Sequence, residues 1–152
     1  MQTRREMLAH SATVATLLAG AGLLPSAAQA AWNEGAFAAK SVAEVVKALG
    51  GSAPVESKDV SITGPDIAEN GAVVPVGAAT TVAGANKLLL LVEKNPNALA
   101  AIFELSDKIE PSVSTRVKMG QSSNVYAVAM TADGKVLYAA KEIKVTLGGC
   151  GG

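Results

Sequence analysis

From residue 55 onward, apolar and polar positions follow the short, alternating runs that are typical of β-strands. Val60 and Ile62 alternate with polar neighbours, whereas residues 88–92 are all apolar and make a run short enough for a buried strand. Further strands are predicted at residues 98–105, 112–119, 125–131 and 135–145. About seven strands with turns between them predict a mainly β protein, an immunoglobulin-like β-sandwich of two sheets.

Turn residues refine this prediction. Asp133-Gly134 separates the last two strands and predicts a hairpin. Asn95-Pro96-Asn97 predicts another turn. Pro75 lies within the apolar run 72–76 and has no N–H to donate, so that strand is predicted to be an edge strand or to be interrupted.

Upstream of the strands, apolar residues recur at helical spacing. Ser41 and Glu44 fit a capping box, in which a hydroxyl and a carboxylate three residues apart satisfy free N–H groups. Gly50-Gly51 ends the pattern with residues free to enter the left-handed region. We therefore predict a short amphipathic helix over residues 41–49, with an extension back toward Trp32 left open.

The last predicted strand leads directly into the end of the chain. Ile143, Val145 and Leu147 share one face of this strand, so we expect it to be anchored in its sheet. The residues that follow are Gly148, Gly149, Cys150, Gly151 and Gly152. Four glycines provide no side chains for a core, so residues 148–152 are predicted to be a flexible arm that exposes the thiol of Cys150.

The first 30 residues have the three-part order of an export signal. Arg4 and Arg5 precede an uncharged stretch, residues 11–24, and Ala28-Gln29-Ala30 provides a small-x-small cleavage site. The adjacent arginines resemble a twin-arginine signal. The apolar stretch is shorter than the ~20 residues that span a bilayer, so no membrane anchor is expected. We predict cleavage after Ala30, a periplasmic location, a domain over residues 31–147 and the arm after it.

Composition excludes several kinds of function. The formal net charge is zero, and residues 31–152 keep 11 of the 13 basic and 12 of the 13 acidic side chains, without the basic stripe of a nucleic-acid-binding protein. His10, the only histidine, lies in the predicted signal, and Cys150 is the only cysteine. A mature chain without histidine excludes Ser-His-Asp and Cys-His catalysis, c-type haem attachment and the usual zinc sites. We expect no metal site and no cofactor.

An unpaired cysteine is unusual in an exported protein, because such proteins normally pair their thiols. The odd cysteine predicts intermolecular pairing or a thiol with a function, although a remnant on a frayed terminus is the alternative. A free thiol is mostly protonated at neutral pH, and its activation requires a helix N-terminus, a cation or a metal nearby. Lys144 is six residues away from Cys150, so the thiol is expected to be a handle for other enzymes, without catalytic activity of its own.

Residues 144–152 (KVTLGGCGG) resemble the C-terminus of the SoxY family, the sulfur-binding subunit of the bacterial SoxYZ carrier. Residues 68–71 (AENG), 74–76 (VPV) and 114–117 (STRV) are also similar to that family. The similarity covers essentially the whole chain, and its specific part is the Gly-Gly-Cys-Gly-Gly end joined to an export signal.

The resemblance implies an immunoglobulin-like domain that forms a heterodimer with a smaller SoxZ-type subunit. It also implies a role in thiosulfate oxidation, in which sulfur intermediates are held on Cys150 and passed between enzymes. The implied enzymes are a c-type cytochrome complex, a manganese hydrolase that releases sulfate and, as a further candidate, a molybdenum–haem sulfur dehydrogenase. The chain itself would be a carrier and not an enzyme.

Two other classes of function are considered. A periplasmic β-sandwich interaction or assembly module would dimerise through Cys150. An enzyme that uses carboxylates alone would draw on a cluster in the sequence, formed by Glu56, Asp59, Asp66 and Glu69. The turn-like segments around these carboxylates favour solvated loops over an active site.

Overall fold

The computed structural model describes residues 33–147, and within that range two short helices precede nine β-strands. The helices are α1 (Glu34–Ala38) and α2 (Val42–Ala48). The strands are β1 (Val55–Glu56), β2 (Val60–Thr63), β3 (Ile67–Asn70), β4 (Val74–Thr80), β5 (Ala85–Val92), β6 (Leu99–Glu104), β7 (Ser112–Val117), β8 (Ser123–Thr131) and β9 (Val136–Leu147).

The strands form two sheets. The larger sheet has the order β1-β9-β8-β5-β6, with β3 also paired to β9, and the smaller sheet has the order β2-β4-β7. The prediction of a mainly β, immunoglobulin-like sandwich of two sheets is confirmed. The sequence pattern did not predict that β1 and β3 pair with β9 in parallel.

Strand β5 explains how the core is arranged in two layers. Leu88, Leu90 and Val92 belong to a cluster between the two sheets, whereas Leu89 and Leu91 belong to a second cluster beneath the helices. All five side chains are fully buried. The unbroken apolar run therefore reflects a strand that is covered on both faces, because a strand with one solvated face shows alternation instead.

The predicted helix is present, but it does not extend back toward residue 32. Helix α2 starts after Ser41, whose Oγ accepts a hydrogen bond from the Glu44 N–H at 3.2 Å. Glu44 Oε2 accepts one from the Lys40 N–H at 2.9 Å. Ala39 has an extended backbone and separates α2 from α1, which Asn33 caps. The capping prediction is thus confirmed. Residues 34–48 form two short helices, and not the single longer helix that the sequence pattern left open.

The prediction that residues 72–76 form an edge or interrupted strand is confirmed only in part. Residues 74–76 begin β4, which is the central strand of the smaller sheet, whereas residues 72 and 73 precede it. Strand β2 pairs with β4 only from Gly77 to Thr80, whereas β7 pairs with it from Val74 to Ala79, with Pro75 opposite Arg116. Pro75 therefore lies where the β2 side of β4 is no longer paired, and its missing N–H removes no bond from the ladder.

The predicted turns are confirmed. Gly134 has φ 84° and its N–H bonds to the Thr131 carbonyl at 3.0 Å, which closes the hairpin between β8 and β9. The chain also turns at residues 93–98, between β5 and β6. Between residues 33 and 147, no helix combines the length and the apolar character needed to cross a membrane.

Candidate functional site

The predicted functional residues at both ends of the chain lie outside the described residues. They are Arg4 and Arg5 of the export signal, and Gly148, Gly149, Cys150, Gly151 and Gly152 of the arm. The structure does describe the point from which the arm leaves the domain. That point is the end of β9, residues 144–147, which we call the arm root.

The arm root extends beyond the part of β9 that pairs with β8. The pairing between β8 and β9 reaches Ser123 opposite Ile143. From there β3 takes over in parallel, with Ile67 opposite Lys144 and Asn70 opposite Leu147. The arm root therefore remains part of a sheet up to the last described residue.

Hydrogen bonds hold both ends of the arm root to residues 66–71, which we call the β3 segment. The Lys144 N–H donates to the Asp66 carbonyl at 3.0 Å, and the Gly71 N–H donates to the Leu147 carbonyl at 2.8 Å. Between them, the Thr146 hydroxyl donates to the Glu69 carbonyl at 3.0 Å. Residue 147 is consequently a fixed point in the fold.

Ser122 holds the opposite side of the arm root. Its Oγ accepts a hydrogen bond from the Val145 N–H at 2.9 Å and lies 3.5 Å from the Val145 carbonyl oxygen. Adjacent N–H groups of a strand point to opposite sides, so Ser122 and the β3 segment flank β9 on its two edges. Sequence reasoning missed Ser122, because its partner lies 23 residues away along the chain.

The loop that carries Ser122 is tied to its neighbours. The Asn95 side chain donates from Nδ2 to the Lys118 carbonyl at 2.7 Å and accepts from the Gly120 N–H at 3.1 Å. The Met119 N–H donates to the Gly71 carbonyl at 2.7 Å. Asn95 was predicted only as a turn residue, but its side chain joins the loops beside the arm root.

Burial decreases along the arm root toward its end. Ile143 is fully buried, Val145 packs against the edge of the core, and Leu147 is 69% exposed. Lys144 and Thr146 are exposed on the other face. The predicted alternation is therefore confirmed for Ile143 and Val145, and the core ends before Leu147.

The four carboxylates considered for an enzyme do not form a shared site. Asp66 makes a salt bridge with Lys141 at 2.9 Å, and the hydrogen bond from the lysine lowers the pKa of Asp66. Asp59 accepts a hydrogen bond from the Ser57 hydroxyl at 3.1 Å. Glu56 and Glu69 are exposed on β1 and β3, so the expectation that they lie in loops is wrong.

Among residues 33–147, no group of three or more His, Cys, Asp or Glu side chains could hold a metal ion.

Comparisons with known proteins identify the family of this chain. Residues 45–150 match the family model of the sulfur oxidation protein SoxY. The chain belongs to the SoxY family. The sulfur carrier protein SoxY from Chlorobium limicola f thiosulfatophilum is 34% identical, with a TM-score of 0.60 over 68% of this chain and 93% of that one. The resemblance seen in the C-terminal sequence is thus confirmed for the SoxY family.

A more distant likeness concerns the fold alone. The superoxide reductase neelaredoxin from Ignicoccus hospitalis is 21% identical, with a TM-score of 0.50 over 57% of this chain and 79% of that one. The search of the curated proteins gave no match. The SoxY family is therefore the comparison from which a function can be argued.

Proposed function

We propose that this chain is a covalent carrier of sulfur intermediates in periplasmic thiosulfate oxidation, with the Cys150 thiol as the attachment site. Membership of the SoxY family supports a sulfur-carrier role. The observation that carries the proposal further is the fixed arm root, which ends three residues before the single cysteine. A firmly held strand followed by a glycine-rich end suits a thiol that is presented to other proteins.

The position of the thiol limits how the partners can act. From Leu147 to Cys150 the chain spans at most ~10 Å when fully extended, at 3.3–3.6 Å per residue. An enzyme that acts on this thiol must therefore place its reactive centre within about that distance of the surface on which the carrier docks. The chain contributes the thiol and its presentation, and the partner enzymes contribute the catalysis.

The first proposed step joins thiosulfate to the thiol. The Cys150 thiol and thiosulfate form a sulfur–sulfur bond, and the reaction releases one proton and two electrons. A c-type cytochrome complex is the proposed electron acceptor. In the next step water cleaves the bond to the terminal sulfone, which leaves as sulfate, while a persulfide stays on Cys150. A manganese hydrolase is proposed for that step, and a sulfur dehydrogenase is a candidate for oxidation of the persulfide.

The proposed partnership follows from the family. SoxY family membership supports partnership within the Sox system. We propose a SoxZ-type subunit as the stable partner in a heterodimer, and the enzymes named above as transient partners. Size-exclusion chromatography of the co-expressed chains tests the heterodimer, and separate elution of the two chains would contradict it.

Intact mass spectrometry tests the carrier role. The mature protein, in complex with its partner subunit, is incubated with thiosulfate and the purified cytochrome complex. We expect a mass increase that corresponds to a thiosulfonate on Cys150 and that a thiol reductant reverses. If disulfide-linked dimers form and no sulfur adduct does, the chain is instead an interaction module that dimerises through Cys150.

The export route is a separate proposal, which rests on Arg4 and Arg5. We expect replacement of both arginines by lysine to retain this chain in the cytoplasm, together with any partner that lacks its own signal, because twin-arginine transport depends on the arginine pair. Fractionation followed by immunoblotting measures this. Arg116→Lys makes the same chemical change within the domain and should leave export normal. Continued export of the double variant would contradict the twin-arginine assignment.

A further inference from the structure

We propose that Ser122 is a positioning residue that fixes the arm root, so that partner enzymes meet the thiol at a defined distance from the domain. This inference rests on the proposed carrier function. Ser122 does not contact the reacting sulfur, and it acts through Val145, to which it is hydrogen-bonded.

The need for Ser122 arises where β8 stops pairing with β9. The pairing between these strands reaches Ile143, so the N–H of Val145 points to a side on which β8 supplies no carbonyl. The Ser122 Oγ occupies that place at 2.9 Å. A partly buried N–H without a partner is costly, and the serine hydroxyl satisfies this one. Ser122 thus supplies the hydrogen-bond acceptor that β8 no longer provides along the arm root.

The loop around Ser122 is itself held in place, which allows one hydroxyl to serve as an anchor. Asn95 bonds to the backbone of Lys118 and Gly120 on the side of the loop that precedes Ser122. On the other side, the buried Ser123 accepts a hydrogen bond from the Lys94 N–H at 3.0 Å. Ser122 is therefore a rigid attachment for β9, at the edge opposite β3.

The length of the tether, residues 148–150, explains why such an anchor matters. With residues 144–147 held in the sheet, three residues separate the fixed point at Leu147 from Cys150. If the arm root frayed back to Ile143, the tether would lengthen to seven residues. The effective concentration of a tethered group falls roughly as the −3/2 power of tether length, so delivery would weaken about 3.6-fold.

Ser122→Ala tests the proposal in the mature protein bound to its partner subunit. We expect amide hydrogen exchange at Val145 to accelerate about fivefold, because the lost hydrogen bond opens this end of β9. The kcat of thiosulfate loading by the cytochrome complex should fall measurably, toward the limit of about 3.6-fold for a fully frayed arm root, with KM and the alkylation of Cys150 by iodoacetamide unchanged. We expect docking of the carrier and exposure of the thiol to be unchanged. Only the distance at which the domain holds the thiol should become less well defined.

Two further variants separate positioning from a general structural effect. Ser122→Thr keeps the hydroxyl and should restore both the exchange rate and kcat. Ser61→Ala removes a hydroxyl that bonds to the Ala79 carbonyl at 3.5 Å on the smaller sheet, and it should change neither. A merely structural role of Ser122 would lower the unfolding temperature without a selective loss of kcat.

Each result decides a distinct question. Unchanged exchange at Val145 in Ser122→Ala overturns the anchor, and faster exchange with an unchanged kcat overturns the positioning role. A kcat that falls together with alkylation also overturns it, because exposure would then explain the effect. If the wild-type protein is not loaded at all, the carrier function fails, and the exchange rates still decide whether Ser122 holds the arm root.

Discussion

Cys150→Ser is expected to abolish sulfur loading while leaving the fold and partner binding intact. Serine is close to cysteine in size but lacks the sulfur that must bond to thiosulfate. Within residues 33–147, the two buried clusters consist of residues between Ala36 and Ile143, and we expect this core to form without Cys150. Intact mass spectrometry should therefore detect no adduct, and the thermal unfolding midpoint should match that of the wild type.

A relocated thiol provides the matched control for this variant. Ser106 is exposed in the loop between β6 and β7, and Ser106→Cys in the Cys150→Ser background restores a thiol away from the arm. We expect this double variant to react with iodoacetamide but not to be loaded by the cytochrome complex. Loading of Cys150→Ser would show that sulfur attaches elsewhere, and a large loss of thermal stability would show that Cys150 is packed.

Replacement of Gly149 and Gly151 by valine is expected to lower enzyme-driven loading on the order of 100-fold, because misplacement by about 1 Å can cost that much in rate. An active site that receives a tethered thiol must also admit the backbone beside it. Two β-branched side chains widen that backbone and stiffen it. The substitutions follow the arm root, so the fold should be unchanged. Loading and alkylation are measured side by side on the same preparation.

Substitution by alanine separates the effect of the width of the arm from the effect of its backbone freedom. Gly149→Ala with Gly151→Ala removes part of the glycine freedom but adds only two methyl groups, so we expect a smaller loss of loading than with valine. Alkylation by iodoacetamide should stay near the wild-type rate in both double variants. If loading falls only in proportion to alkylation, the glycines serve exposure alone, and an arm that enters narrow enzyme channels is ruled out.

Local sequence signals predicted the elements that depend on neighbouring residues. Ser41 and Glu44 satisfy N–H groups at the start of α2, and Gly134 takes the positive φ of the β8–β9 hairpin. The run at residues 88–92 is as buried as its composition indicated. The first two predictions succeeded because each depends on interactions within a few residues, and the third because an apolar run without alternation indicates a strand covered on both faces. The prediction for Pro75 held only in part, because β4 is a central strand whose first residues are paired on one side, and the sequence does not say where a neighbouring strand ends.

The sequence by itself determined the class of fold and the likeness to the SoxY family, through its alternating runs and its Gly-Gly-Cys-Gly-Gly end. The tertiary structure alone decided how the arm root is held. Thr146 bonds to the carbonyl of Glu69, 77 residues away, and Val145 bonds to Ser122, 23 residues away. No local pattern encodes such pairs, because chain folding brings the two partners together only when the sheet has formed. The parallel pairing of β3 with β9 has the same origin, since parallel strands need a long connection between them.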